Sequence, residues 1–179
     1  MSSARPESSR VSGSSAAPGA VVRVAEPADL DFVYEAERQA GYEWLVGQWP
    51  REEHVAALAH ADTRYLIASR PGGAPAGFVI LQPLSDVHEG TKLKRVVVVE
   101  PDQGFGQAML RATFDWVFDN TPSARLWLDV FTHNDRARHA YRRVGMREDG
   151  LLRQSYRMPD GSRADRVIMS LLRSEWPPP

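Results

Sequence analysis

The sequence predicts an α/β chain: a central, mixed, twisted sheet of seven strands flanked by about four helices. Three observations lead there. From Leu93 to Leu110 the chain reads LKRVVVVEPDQGFGQAML, an apolar strand, a Gly-rich turn and the start of a helix. From Leu126 to Met146, LWLDVFTHNDRARHAYRRVGM repeats the order strand then helix. Strand–helix–strand implies a parallel pair with a right-handed crossover, and turn-rich segments near both ends imply antiparallel hairpins at the edges.

Each element has its own signal. Val21–Ala25 alternates weakly and reads as a short strand. Glu26-Pro27-Ala28-Asp29 starts a helix, with Pro near its first position and acids in the first turn, continuing through Phe32, Val33 and Ala36 to about Gln39. Gly41–Trp49 is aromatic and poorly periodic, a loop; Pro50-Arg51-Glu52-Glu53 then restarts a helix through Val55, Leu58 and Ala59. Thr63–Ser69 and Phe78–Gln82 are strands on either side of the Gly/Pro-dense turn PGGAPAG, antiparallel to one another. The unbroken valines of Lys92–Val99 mark a central strand covered on both faces. The next helix begins near Phe105, carries Phe105, Met109, Ala112 and Trp116 on one stripe, and is broken by Pro122. Ala124–Phe131 is a strand, Asp135–Val144 a helix closed by Gly145. Met146–Arg157 and Arg163–Leu172 form a last hairpin around Pro159-Asp160-Gly161.

Composition narrows the function classes. The 179 residues suffice for one domain, expected over residues 20–176 behind a disordered tail, residues 1–19. With 22 basic and 23 acidic side chains, no net field argues for nucleic acid or an anionic membrane. Two of the 22 cations, Lys92 and Lys94, are lysines, leaving 20 arginines. Cysteine is absent, which excludes disulfides, thiolate nucleophiles and Cys-ligated metals; no His/Asp/Glu group has metal-ligand spacing, so no metal is expected. No apolar run is long enough to span a bilayer and the first residues lack a signal-peptide core, so the expected location is cytoplasmic. An exposed strand edge or the aromatic loop could support a homodimer.

The residues that carry chemistry lie in the two strand–helix segments. Gln103-Gly104-Phe105-Gly106 lets backbone N–H groups approach an anion at a positive helix end, although a lone GxG is equally a tight connection. No Lys-Ser/Thr follows it and the third glycine of a GxGxxG is replaced by Met109, so neither common nucleotide loop is present. Asn134 sits where a helix cap belongs. Tyr141, seven residues on, shares a face with Ala137 and Val144, as a core tyrosine would.

In combination these residues resemble the GNAT superfamily of acyl-CoA-dependent N-acyltransferases, over about Val21 to Leu172. The family's loop consensus, Arg/Gln-x-x-Gly-x-Gly/Ala, falls on Pro101-Asp102-Gln103-Gly104-Phe105-Gly106, with Pro in place of its first residue. Asn134, Tyr141 and Arg-x-x-Gly-Met follow the family's second motif. Within the superfamily the chain looks most like the acetyltransferases of ribosomal-protein N-termini, through Leu128-Asp129-Val130 and Tyr156…Asp160-Gly161…Asp165.

The resemblance implies acetyl-CoA as co-substrate and direct transfer of its acetyl group to a primary amine, on a protein N-terminus or a small molecule. It places the pyrophosphate on Asp102, Gln103, Gly104, Phe105, Gly106 and Gln107, the pantetheine arm along Val97, Val98 and Val99, and Asn134 beside that arm. A strand N–H freed by a bulge polarises the thioester carbonyl. Tyr141 protonates the leaving thiolate; Asp129 and Glu100 are the candidate bases, Asp129 being equally readable as a structural carboxylate. The acceptor pocket is expected from Gly41–Trp49, the Pro83–Gly90 loop and the last hairpin, with Tyr42, Trp44, Glu89 and Tyr156 as contacts. The acids Asp86, Glu89 and Glu43 there would suit a cationic acceptor. The alternative of a different class is a non-catalytic acyl-CoA-binding regulatory module.

Overall fold

The computed structural model describes residues 19–99 and 104–177. The tail up to residue 18 lies outside these residues, as do Glu100, Asp102 and Gln103. In chain order the elements are β1 (Val21–Val24), a 3₁₀ turn (Pro27–Asp29) leading into α1 (Leu30–Ala36), α2 (Arg51–Ala59), β2 (Arg64–Ser69), β3 (Pro75–Gln82) and β4 (Gly90–Val98). There follow α3 (Phe105–Asn120), β5 (Arg125–Phe131), α4 (Asp135–Arg143), β6 (Arg147–Arg157) and β7 (Arg163–Leu172). The seven strands form one sheet in the order β1-β2-β3-β4-β5-β7-β6. β4 and β5 are its parallel pair; the other pairings are antiparallel.

Two apolar layers sandwich the sheet. On one face Leu66, Val79, Leu81, Leu93, Leu126 and Leu128 meet Phe105, Met109, Phe114 and Val117 of α3 and Tyr141 and Val144 near α4. On the other, Tyr65, Ile67, Phe78, Ile80 and Val97 meet Val33 and Ala36 of α1. Alternation along β2 and β3 sends successive residues to opposite layers, which is why both strands are apolar throughout. Fully burying a side chain such as Phe114 contributes about 1.5–3 kcal/mol.

Three expectations are corrected. α1 ends at Ala36, not Gln39, because the Arg38 guanidinium takes the Tyr34 carbonyl (3.0 Å) and the Trp49 carbonyl (2.5 Å), turning the chain away from the helix axis. β3 starts at Pro75, inside the segment read as a turn. Gly77 makes this possible: a Cβ there would stand 2.6 Å from the Val97 carbonyl and 2.8 Å from the Met109 sulfur. On α3 the buried face is Phe105, Met109, Leu110, Thr113, Phe114, Val117 and Phe118, leaving Ala112 and Trp116 at its margin. A helix lying flat on a sheet buries a broad stripe, and Trp176 widens it by packing edge-on to Phe114 with ring centroids 5.3 Å apart.

Candidate active site

The parallel pair does not stay paired. β4 and β5 are in register only at Gly90–Arg125, Thr91–Leu126 and Lys92–Trp127. Beyond that point β4 follows β3 as far as Val98–Gly77, while β5 follows β7 as far as Phe131–Arg166. The strands therefore splay, leaving backbone on both inner edges without a strand partner. A cleft of about 630 Å³ fills the gap, lined among others by Lys92–Val96 and Val98, Leu128–Phe131, Gly104, Gly106, Asn134 and Tyr141. Cavities of this size suit small ligands.

A β-bulge shapes the β4 wall. Ile80 faces Arg95 but Leu81 faces Leu93, so Lys94 is the extra residue. Lys94 and Arg95 consequently both turn toward Trp49, their charges 6.0 and 4.5 Å from its ring. Past the bulge the Val99 N–H bonds the Ala76 carbonyl (2.9 Å), and the Val97 carbonyl abuts Gly77. By alternation, the backbone groups of Val96 and Val98 face the cleft. This corrects the expectation for Val97, whose side chain is buried and whose backbone serves the sheet.

At the far end of β4 the Gly104 cap of α3 adopts φ 76°, a left-handed conformation that glycine takes without penalty. Gly106 and Gln107 line the cleft behind it. Two details differ from expectation. The Phe105 side chain is fully buried, so only its backbone is left for a ligand, and the Gln107 N–H already bonds the Gly104 carbonyl (3.2 Å). The splayed strand edges and this glycine turn at a helix N-terminus fit an extended, phosphate-bearing ligand.

α4 supplies the opposite wall. The Asn134 side chain accepts a bond from the Ala137 N–H (3.1 Å), capping the helix as its position in the sequence suggests while also lining the cleft. Gly145 at φ 100° closes the helix, and Arg138 and Arg142 converge on Glu148. These anchors hold Tyr141 in the cleft wall, 9% exposed. Burial first, then the neighbouring Tyr42 and Asp129, pushes its phenol well above the ordinary tyrosine value, so the group stays protonated.

Asp129 faces the cleft as strand alternation requires, yet both its oxygens are engaged, one by Lys92 and one by Arg166. Of the two readings, these ion pairs favour the structural carboxylate. Arg166 is fixed further by the Ser155 hydroxyl (3.1 Å) and packs near the ring of Tyr156, which meets Phe131 edge-on. Tyr42, Trp44 and Tyr156 all reach the cleft. The Tyr42 hydroxyl donates to the Val98 carbonyl (2.8 Å), and Trp44 is mostly exposed. Glu89 corrects the prediction: it sits before β4, its carbonyl receiving the N–H groups of Ala124 and Arg125, at the paired end of the strands rather than in the splay. The Pro83–Gly90 loop therefore does not line the cleft, and neither Glu89 nor Asp86 gives it acidity.

Sequence reasoning missed a buried polar knot behind the wall. Glu37, fully buried, receives Arg95 (2.5 Å), the Trp49 N–H (3.0 Å) and His54 (3.1 Å), whose other ring nitrogen meets the Tyr65 hydroxyl (3.0 Å). Burial opposes the Glu37 charge, but His54, Arg95 and the Trp49 N–H outweigh it and hold the carboxyl below its usual range. The knot ties α1, α2, β2 and the aromatic loop to the bulge. Lys92 and Lys94 were also overlooked as wall residues, although as the chain's two lysines, at i and i+2 on the expected strand, they carried a signal.

Comparisons with known proteins agree with this geometry. A model of the acetyltransferase (GNAT) family matches residues 30–146. The ribosomal protein bS18-alanine N-acetyltransferase of Escherichia coli K12 is 32% identical over 149 residues, covering 82% of this chain and 93% of the relative. The crystal structure of the ribosomal-protein-S18-alanine N-acetyltransferase from Escherichia coli superposes with a TM-score of 0.69 at 26% identity, over 86% of this chain and 93% of that one. Spermidine N-acetyltransferase from Vibrio cholerae, solved with CoA and spermine, shares the fold with a TM-score of 0.75 at 19% identity, covering 87% and 96%.

Proposed function

The chain belongs to the acetyltransferase (GNAT) family, and on that premise we propose that it moves an acetyl group from acetyl-CoA to a primary amine by direct transfer in the splayed cleft. The observation that carries this reading is the parting of β4 from β5 beyond Lys92–Trp127, with Tyr141 in the wall between them. Acetyl-CoA supplies the activated acyl group as a thioester. The glycine turn at Gly104 and the start of α3 receive its phosphates. The backbone of Val96 and Val98 pairs with the amides of its arm as a neighbouring strand would. Asn134 borders the same arm.

Chemistry then falls to few groups. The amine nitrogen forms a bond to the carbonyl carbon and the carbon–sulfur bond breaks, the transient oxyanion held by a cleft-facing N–H of β4. Tyr141 gives its proton to the departing sulfur and is reprotonated from solvent, while the proton that the nitrogen loses goes to the base and from there to solvent, so the balance closes. A phenol near pKa ~10 and a thiol near ~8.5 are mismatched in water, but the apolar wall penalises both anions and keeps the transfer feasible. Asp129 is assigned a positioning role, since accepting a proton would break one of its two ion pairs. Glu100, which follows Val99, is the carboxylate proposed to take the amine's proton through water.

Among relatives, the Escherichia coli enzyme acts on an alanine of a ribosomal protein and the Vibrio cholerae enzyme on spermidine. An N-terminal α-amine is the easier acceptor, because with a pKa near 8 it is already partly neutral at pH 7. No helix among the described residues is long and apolar enough to cross a membrane; cytoplasmic residence and a homodimer belong to this proposal and rest on the sequence. The test follows free thiol released from acetyl-CoA with alanine-initiated peptides, polyamines and amino acids. Measurable CoA binding without release from any amine would replace the enzyme by the non-catalytic module.

A further inference from the structure

The acceptor end of the cleft carries an excess of positive charge. Lys92, Lys94 and Arg166 converge there around a single carboxylate, Asp129, which is already bonded to two of them. Lys94 is the member outside these pairs. Its side chain is exposed at the cleft surface; partial desolvation first, then Lys92 and Arg95, pulls its ammonium below the ordinary lysine value. Of the remaining lining charges, Arg136 adds to the excess and Glu43 removes only one unit of it. Arg95 is matched to Glu37 inside the buried knot, and the Glu43 carboxylate accepts the Gly41 N–H (2.9 Å) in its own loop.

These cations stand far from the phosphate cradle. Lys94 precedes Val98 by four residues, which at ~3.3 Å per residue places it about 13 Å back along the strand, with Gly104 further still. They lie on the α1–α2 side with Trp49, whereas α3 and Tyr141 belong to the layer on the opposite face. The phosphates of the acyl donor therefore do not neutralise them. The two lysines of a chain with 20 arginines both line this end.

We propose that the acceptor is a primary amine that carries a carboxylate close to its nitrogen, with Lys94 as the principal contact for that carboxylate and Arg166 and Lys92 forming its surround. The inference deepens the acetyltransferase reading and rests on it. It runs against the cationic acceptor that the loop acids suggested, because Asp86 and Glu89 lie outside the cleft and Glu43 alone of the three lines it. The same carboxylate could come from a free amino acid or from an acidic residue next to a peptide N-terminus.

The test compares matched pairs by thiol release: alanine against alaninamide, and amidated Ala-Asp-Ala against amidated Ala-Asn-Ala, with spermidine alongside. The carboxylate partner of at least one pair is expected to exceed its amide by about tenfold in kcat/KM, and the winning pair identifies the source. Lys94→Met should bring that ratio close to one, and Lys94→Arg should retain it. Equal rates within both pairs, or spermidine surpassing every carboxylate acceptor, overturns the inference while the released thiol keeps the acetyltransferase reading. An unchanged ratio in Lys94→Met overturns the role of Lys94. Absence of thiol release from every acceptor overturns both readings together.

Discussion

The Tyr42 hydroxyl donates a 2.8 Å hydrogen bond to the carbonyl of Val98, so the loop after α1 holds the inner edge of β4 at its far end, well beyond the point where the strands part. Gln39 reaches the same oxygen (3.1 Å). An amide of the donor's arm that pairs with this edge competes with both side chains. Removing the Tyr42 hydroxyl should therefore tighten binding. A net hydrogen bond of about 0.5–1.5 kcal/mol corresponds to roughly 2–10-fold. Calorimetry of Tyr42→Phe with CoA checks this; weaker binding would mean that Tyr42 helps the ligand instead of competing with it.

Tyr141→Phe should lower kcat by about 10²–10⁴-fold and leave the dissociation constant for CoA nearly unchanged, as removal of a general acid does. The raised pKa sets the pH behaviour. Up to about pH 10 the phenol is protonated in folded and unfolded chains alike and adds no pH dependence. Above that, the unfolded chain loses the proton while the folded one keeps it, so this group's contribution makes stability fall as pH rises. Denaturation of the wild type and of Tyr141→Phe at pH 8 to 11 should diverge in that sense.

Asp129→Asn separates a base from a positioning group. With both carboxylate oxygens in ion pairs, the substitution should reduce kcat by less than tenfold and act mainly on the KM of the acceptor. A kcat loss of ~10²-fold or more would restore Asp129 as the base.

Glu37→Gln leaves the buried Arg95 without its counter-charge. Breaking a buried pair from one side costs about 3–5 kcal/mol. Because the Glu37 carboxyl is held low, its contribution is complete above the ordinary glutamate pKa and disappears as pH falls through the depressed folded value. Urea melts between pH 7 and 3 should show the wild type losing stability below about pH 4.3 and the variant lacking that component.

Gly77→Ala should destabilise by about 1–3 kcal/mol, as overpacking does, since the new methyl meets the Val97 carbonyl and the Met109 sulfur. Thermal or urea melts check it. A neutral result would mean that β3 can move away from β4 at no cost.

The elements that depend on local chemistry were legible. The unbroken valine run, the Pro and acids ahead of α1, Asn134 at a helix cap and Gly145 beyond its last turn all act within a few residues, and each element formed close to its expected place. The boundaries that failed involve partners far along the chain. α1 stops where Arg38 reaches Trp49, and β3 extends because Gly77 admits Val97 and Met109. In the site, Tyr141 and Asn134 were singled out by the family resemblance and both line the cleft, whereas Glu89 was misplaced because proximity to β4 in sequence says nothing about which end of β4 opens.

The order of strands and helices and the glycine turn follow from the amino-acid sequence alone, because periodicity, capping and turn preference are short-range properties of a chain. The tertiary structure alone decides that β4 and β5 separate after Lys92, that a bulge at Lys94 turns two consecutive cations toward the same face, and that Asp129 is held between Lys92 and Arg166. The physical reason is that strand pairing and ion pairing join residues dozens of positions apart. Which pairs form depends on how two helical layers and one sheet fill space together, and no window of sequence contains that information.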